Sequence, residues 1–182
     1  MYPLLNKGID MLEETGFFHY QATKPDTMGI ALSDTPAGFL AYFLQCFSSA
    51  TRKSNKDLAD GGLLNQYTRD QLLDNLMLYW APNKITTSFR LYFETIHNPK
   101  TFAVMSHSTD VPLWALQAPD ELTYMSANML ETKFENVLHN TVLDEGGHFL
   151  ALERPAVFAD DVLQAIAGFL NSTDKKHWWQ LF

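Results

Sequence analysis

Apolar positions recur along the first half of the chain at helical spacing. Leu4, Leu5, Ile9 and Leu12 predict an opening helix over residues 4–15, with Gly16 as its stop. Residues 17–27 mix aromatic and polar side chains and predict a loop, in which Pro25 keeps Lys24 out of the α region. Asp26 or Thr27 is suited to cap a short helix after it. Ser33-Asp34-Thr35-Pro36 combines capping residues with a first-turn proline and opens a helix over 37–49. That helix is apolar almost all round (Phe39, Leu40, Tyr42, Phe43, Leu44, Phe47), which predicts deep burial. A polar connection over 51–62 ends in Gly61-Gly62, and Thr68-Arg69-Asp70-Gln71 reads as a capping box for a helix to about residue 80. Ile85, Phe89, Tyr92 and Phe93 share a helix over 85–96 that His97-Asn98-Pro99 terminates, and 100–110 reads as a polar loop.

The pattern then changes. Residues 111–117 are short, apolar and bounded by turn signals, as in a buried strand. Residues 137–143 are a second apolar run, interrupted by His139 and Asn140, with a helix near 122–133 between the two. After Pro155 an amphipathic helix carries Val157, Val162, Ile166 and Leu170 on one stripe. A helical block followed by strand, helix, strand, helix predicts a mainly α chain with a small parallel β element, the tail of an α/β sheet.

Bulk properties narrow the class of protein. A content of 46% hydrophobic and 13% aromatic residues supports a packed core. A net charge of -8 argues against nucleic acid and anionic membrane surfaces as partners. No apolar run reaches the roughly 18–20 residues of a transmembrane span, and the opening residues lack a signal-peptide pattern. Cys46 is the only cysteine, so no intrachain disulfide can form and a reducing, cytoplasmic setting is expected.

Candidate chemistry lies around the two predicted strands. Gly146-Gly147 allows dihedrals that a Cβ forbids and presents His148 on a turn between strand and helix. A histidine so placed is suited to act as a base, or is an incidental surface residue. Asp120 and Glu121 follow the first strand. A carboxylate after one strand and a histidine after the next is the α/β-hydrolase order of acid and base. The same carboxylates equally suit the first turn of the following helix. Tyr92 reads either as packing or as a proton donor.

One set of motifs is more specific. Gly16-Phe17-Phe18-His19-Tyr20-Gln21-Ala22-Thr23-Lys24-Pro25-Asp26-Thr27 resembles the microsomal-type epoxide hydrolases, which include the juvenile-hormone epoxide hydrolases. So do residues 31–38, residues 72–80, the 88–94 helix and Gly146-Gly147-His148-Phe149-Leu150-Ala151-Leu152-Glu153-Arg154-Pro155. The resemblance extends to about residue 171 and implies the C-terminal part of an α/β-hydrolase fold: a helical lid over 1–108, then the last two strands and helices over 109–182. It implies two-step hydrolysis of a lipophilic epoxide, without cofactor or metal. An aspartate opens the ring to an alkyl-enzyme ester, and a histidine paired with a carboxylate activates water to hydrolyse it. By this resemblance His148 matches the general base, Glu121 its acid partner with Asp120 as the neighbouring choice, and Tyr92 one of two tyrosines that donate to the epoxide oxygen. Phe17, Phe18, Phe89 and Trp114 are expected to line an apolar pocket.

Two departures stand beside the matches. Phe17 occupies the position of the other tyrosine and has no proton to donate, leaving Tyr20 as the nearest phenol. The oxyanion loop His-Gly-x-Pro and the nucleophile elbow Gly-Gly-Asp-x-Gly are absent from the sequence, and Asp60-Gly61-Gly62 lies in the lid portion with no strand before it. The expectation is a chain inactive alone, which self-associates, needs a complementing N-terminal half or is truncated. The alternative is a non-catalytic protein that binds an apolar small molecule or acts as an interaction subunit, the latter through the exposed sheet edge or the Trp178–Phe182 tail.

Overall fold

A computed structural model describes residues 12–172, and the chain divides between Ser106 and His107 into two compact units. Residues 12–14 are helical, while the rest of the predicted opening helix and the 178–182 tail lie outside the described residues.

The first unit is all helical. Its elements are α1 (Gly16–Thr23), α2 (Pro25–Ser33), α3 (Pro36–Thr51), α4 (Arg69–Trp80), α5 (Ile85–His97) and α6 (Pro99–Ser106). The loop expected over 17–27 is therefore two helices. Gly16 opens a helix, and the break is confined to Lys24, whose φ of -137° and ψ of 54° are non-helical as a residue before proline should be. Asp26 makes no side-chain cap. Its carboxylate accepts from Arg90 Nε at 2.7 Å and Nη2 at 2.9 Å, tying α2 to α5 across the surface. The loop expected over 100–110 also begins as a helix, α6. Asn98-Pro99 ends α5 and at once starts its successor, with Asn98 Oδ1 accepting from Lys100 N at 3.0 Å.

Where the signals are unambiguous the elements follow them. Thr35 caps α3 by accepting from Gly38 N at 3.0 Å, and Thr68 with Gln71 completes the capping box of α4. The helix α3 buries one stripe over its first three turns and all sides of its last, residues 47–51: Phe39, Phe43 and Phe47 form an aromatic ladder continued by Tyr67. Leu40, Tyr42 and Leu44 are half-buried, a correction to the all-round burial that its composition predicts. Leu72, Leu76, Ile85 and Phe89 complete this core. Gly61 and Gly62 adopt left-handed φ of 67° and 62° in a turn whose Gly61 carbonyl accepts from Ser48 Oγ at 2.7 Å. Asp60-Gly61-Gly62 thus closes a loop onto α3.

In the second unit β1 (Leu113–Gln117) and β2 (Val137–Val142) form a parallel pair, Trp114 opposite His139 and Gln117 opposite Val142. Both strands are half-buried along most of their length, a correction for β1, whose composition predicts full burial. The crossover helix α7 (Ala127–Lys133) starts later than expected, and Ser126 is its cap, accepting from Met129 N at 3.4 Å. A short helix α8 (Leu150–Glu153) precedes α9 (Pro155–Asn171). α9 packs on Trp114, which donates from Nε1 to Asp161 Oδ1 at 3.1 Å and lies against Phe169 and Gly168. The predicted stripe is displaced: Val162, Ile166 and Leu170 are exposed, and only Val157 of the four is half-buried. No helix among the described residues is long and apolar enough to cross a membrane.

The crossing of α2 and α5 is set by a glycine. A Cβ on Gly29 would lie 2.3 Å from Thr86 Oγ1 and 2.7 Å from Thr86 Cα. Alanine in a helix interior normally gains about 1 kcal/mol over glycine. Here overpacking of about 1–3 kcal/mol opposes it, and the backbone atom cannot rotate away. Gly29→Ala is expected to lower unfolding stability in urea, and adding Thr86→Ala to recover only a minor part. A neutral or stabilising Gly29→Ala would contradict this packing.

Candidate active site

The site is built from the two loops that leave the C-terminal ends of β1 and β2. The ladder continues past the strands, because Leu143 N donates to Gln117 O at 2.9 Å and Asp120 N donates to Gly146 O at 3.0 Å. Two loops so pinned run side by side, which brings residue 121 next to residue 148 although 27 positions separate them. Gly146 has φ of 128°, where a side chain is strained, and a Cβ there would meet Leu150 Cδ1 at 2.8 Å. Of the glycine pair, only Gly146 is in the left-handed region among the described residues.

His148 Nδ1 lies 2.9 Å from Glu121 Oε2 and 3.0 Å from Oε1. An ionised carboxylate only accepts, so Nδ1 carries the proton and Nε2 of the neutral ring keeps its lone pair. Glu121 is itself anchored, since Oε1 also accepts from Leu122 N at 2.7 Å. The hydrogen bond with His148 holds the Glu121 carboxyl below its usual value; burial opposes this, while the histidine's charge and the Leu122 and Thr123 amides assist. The same bond raises His148, against the effect of burial and with the charges of Glu121 and then Glu153 adding to it. About half of the His148 side-chain surface, 51%, is open. A base needs that access.

Asp120 and Glu121 do not cap the following helix, which begins six residues beyond Glu121 and is capped by Ser126. A third carboxylate that sequence reasoning left without a role lies beneath the loop. Glu153 is 7% exposed and accepts from Gly147 N at 2.8 Å and Phe149 N at 2.9 Å. The signal available was its spacing, five residues beyond the histidine and just before Pro155.

Tyr92 belongs to the helical unit. It is half-buried, with Phe17 and Phe18 edge-on to its ring at centroid distances of 6.4 and 5.8 Å. Burial, then the neighbouring Cys46 and Tyr79, raises its phenol above the usual tyrosine value, so it remains a proton donor at neutral pH. Phe89 is buried against Tyr42, 5.7 Å between centroids. Tyr20 is exposed. Trp114 is in the other unit, half-buried, stacked on His139 and bonded to Asp161 beneath α9. Clefts of about 430 and 460 Å³ on the helical unit are lined by none of Phe17, Phe18, Phe89 or Tyr92. Among the described residues no three His, Cys, Asp or Glu side chains gather as a metal ion requires.

No family model matches the chain. It is 47% identical over 170 residues to the juvenile hormone epoxide hydrolase of Bombyx mori, a match spanning 93% of this chain and 37% of that protein. It is 36% identical over 166 residues to epoxide hydrolase 1 of Sus scrofa, spanning 89% of this chain and 36% of that protein. The crystal structure of the Bombyx mori juvenile hormone epoxide hydrolase superposes with a TM-score of 0.88 at 48% identity, covering 92% of this chain and 40% of that one. The chain thus spans well under half the length of these relatives. It belongs, by homology over nearly its whole length, to the epoxide hydrolases of the juvenile-hormone and microsomal type, of which it corresponds to the C-terminal part.

Proposed function

We propose that this chain contributes the water-activating half of an epoxide hydrolase, with His148 as general base and Glu121 as its acid partner. The observation that carries the reading is the contact of a carboxylate with Nδ1 while the half-open ring keeps Nε2 available. In the proposed reaction an aspartate oxygen attacks an epoxide carbon, the ring C–O bond breaks, and Tyr92 donates a hydrogen bond to the oxygen as it becomes an alkoxide. Water then gives a proton to His148 Nε2 and its oxygen attacks the ester carbonyl. The acyl C–O bond breaks and the His148 proton passes to the leaving alkoxide, while the proton of the newly formed carboxyl group goes to the first alkoxide, so a diol is released with the aspartate regenerated as its carboxylate. Glu121 stabilises the imidazolium formed in between.

The nucleophile and the oxyanion donors belong, in this reading, to a segment outside these 182 residues. The absence of both motifs from the sequence and the partial span of the relatives support this. The helical unit is read as the lid and the strand-bearing unit as the last piece of the catalytic core. Phe17, where the resemblance calls for a second tyrosine, favours a second reading: binding of an apolar ligand without turnover, against the Phe17–Phe18–Tyr92 group.

Incubated alone with a styrene-oxide-type substrate, the purified chain is expected to yield no diol above buffer. Addition of the N-terminal half of a homologous enzyme is expected to produce diol, which His148→Ala or Glu121→Gln abolishes. Diol formation indifferent to both substitutions would defeat the base assignment. Saturable ligand-induced fluorescence change without diol in any mixture would favour the second reading.

The pair also has a pH signature. Glu121 is lowered from 4.5, so its contribution to stability is complete above that pH and is lost as pH falls through its folded value. His148 is raised from 6.5, so its contribution is complete below that pH and is lost as pH rises through its folded value. The melting-temperature difference between the native chain and Glu121→Gln is expected to be largest between pH 4.5 and 6.5 and to shrink on either side. A difference independent of pH would show that the pair is not coupled.

A further inference from the structure

The His148 loop is held from two sides, and the proposed reaction uses only one of them. Glu121 engages the ring, while Glu153 engages the backbone on both sides of it, accepting from the amides of residues 147 and 149. A carboxylate that is 7% exposed is costly to bury, and the cost is offset only when its oxygens are bonded. Here each oxygen takes one amide, so the group spans the histidine like a staple. Its own position is fixed, because Glu153 closes α8 and its amide donates to Phe149 O at 2.9 Å.

We infer that Glu153 is a positioning residue of this site: its buried carboxylate clamps the amides flanking His148 and so fixes the ring in the orientation that Glu121 completes. The inference rests on the reading of His148 as a base. A carboxylate in this place does two things an apolar residue would not. It removes two backbone donors that would otherwise be left unsatisfied under the loop. It also puts a negative charge close to the imidazole, which favours the cation that forms as water is deprotonated.

The test uses the whole chain without substrate. In Glu153→Gln the charge is lost and one amide faces an NH₂ group instead of an oxygen. Exchange at Gly147 and Phe149 is expected to quicken by about tenfold or more. The His148 titration midpoint, followed by its Cε1 proton and carbon shifts, is expected to fall, while amides of residues 113–117 keep their protection. Glu153→Asp, which keeps the charge on a shorter arm, is expected to restore the midpoint partly. Faster amide exchange with an unmoved His148 midpoint would reduce Glu153 to a structural residue, and unchanged exchange would remove the clamp altogether. If Glu153→Gln does not fold, the native chain carries the test, since the two amides must lose protection together as the loop opens, and separate losses overturn the proposal. Failure of the base reading, seen as diol formation that survives His148→Ala, leaves these readouts unaffected.

Discussion

A neutral imidazole has one nitrogen that donates and one that accepts, and it is useful as a base only if the correct one faces outward. The Glu121 carboxylate makes that choice for His148 by occupying Nδ1. The contact depends on the parallel pairing of β1 and β2, which carries on past the strands and brings two loops from distant parts of the chain to one place. Gly146 supplies the backbone turn, and the bonds of Glu153 hold the amides around it. The energies involved are modest individually. A hydrogen bond to a charged group contributes about 1.5–3 kcal/mol where it is buried and less at the half-exposed His148, and Gly147, His148 and Phe149, which bond to these carboxylates, all lie on the same short loop.

The helical unit works on a different principle. Its interior is aromatic, with the α3 ladder carrying most of the burial and Tyr92 held edge-on by Phe17 and Phe18. Edge-to-face packing fixes the ring, and burial keeps its phenol protonated. Phe17, at the position where the resemblance calls for a second tyrosine, makes a ring contact with Tyr92 and has no proton to donate. In the proposed reading, loss of one such donor typically costs about 10²–10³ in rate.

Much of this was legible in the residues, and the parts that were not have identifiable causes. Capping signals at Thr35 and Thr68, and the strand–loop–helix order around His148, are local chemistry that the chain states directly. Gly16 and Asn98-Pro99 are ambiguous, because each is as good at opening a helix as at closing one, and α1 and α6 were hidden for that reason. The α9 stripe misled because Trp114 recruits Gly168, Phe169 and Asp161 to the sheet, turning Val162, Ile166 and Leu170 outward. Side-chain periodicity predicts an apolar face but not which face a large aromatic selects. The role of Glu153 was unreadable because it acts on backbone amides, and those carry no sequence signature.

The tautomer of His148 turns on a single proton, and nitrogen chemical shifts report it directly. With histidine labelled in ¹⁵N and the pH above the titration of His148, a protonated Nδ1 and a bare, pyridine-like Nε2 are expected in the native chain, with the preference lost in Glu121→Gln. A ring protonated at Nε2, or two nitrogens averaging equally with Glu121 intact, would contradict it.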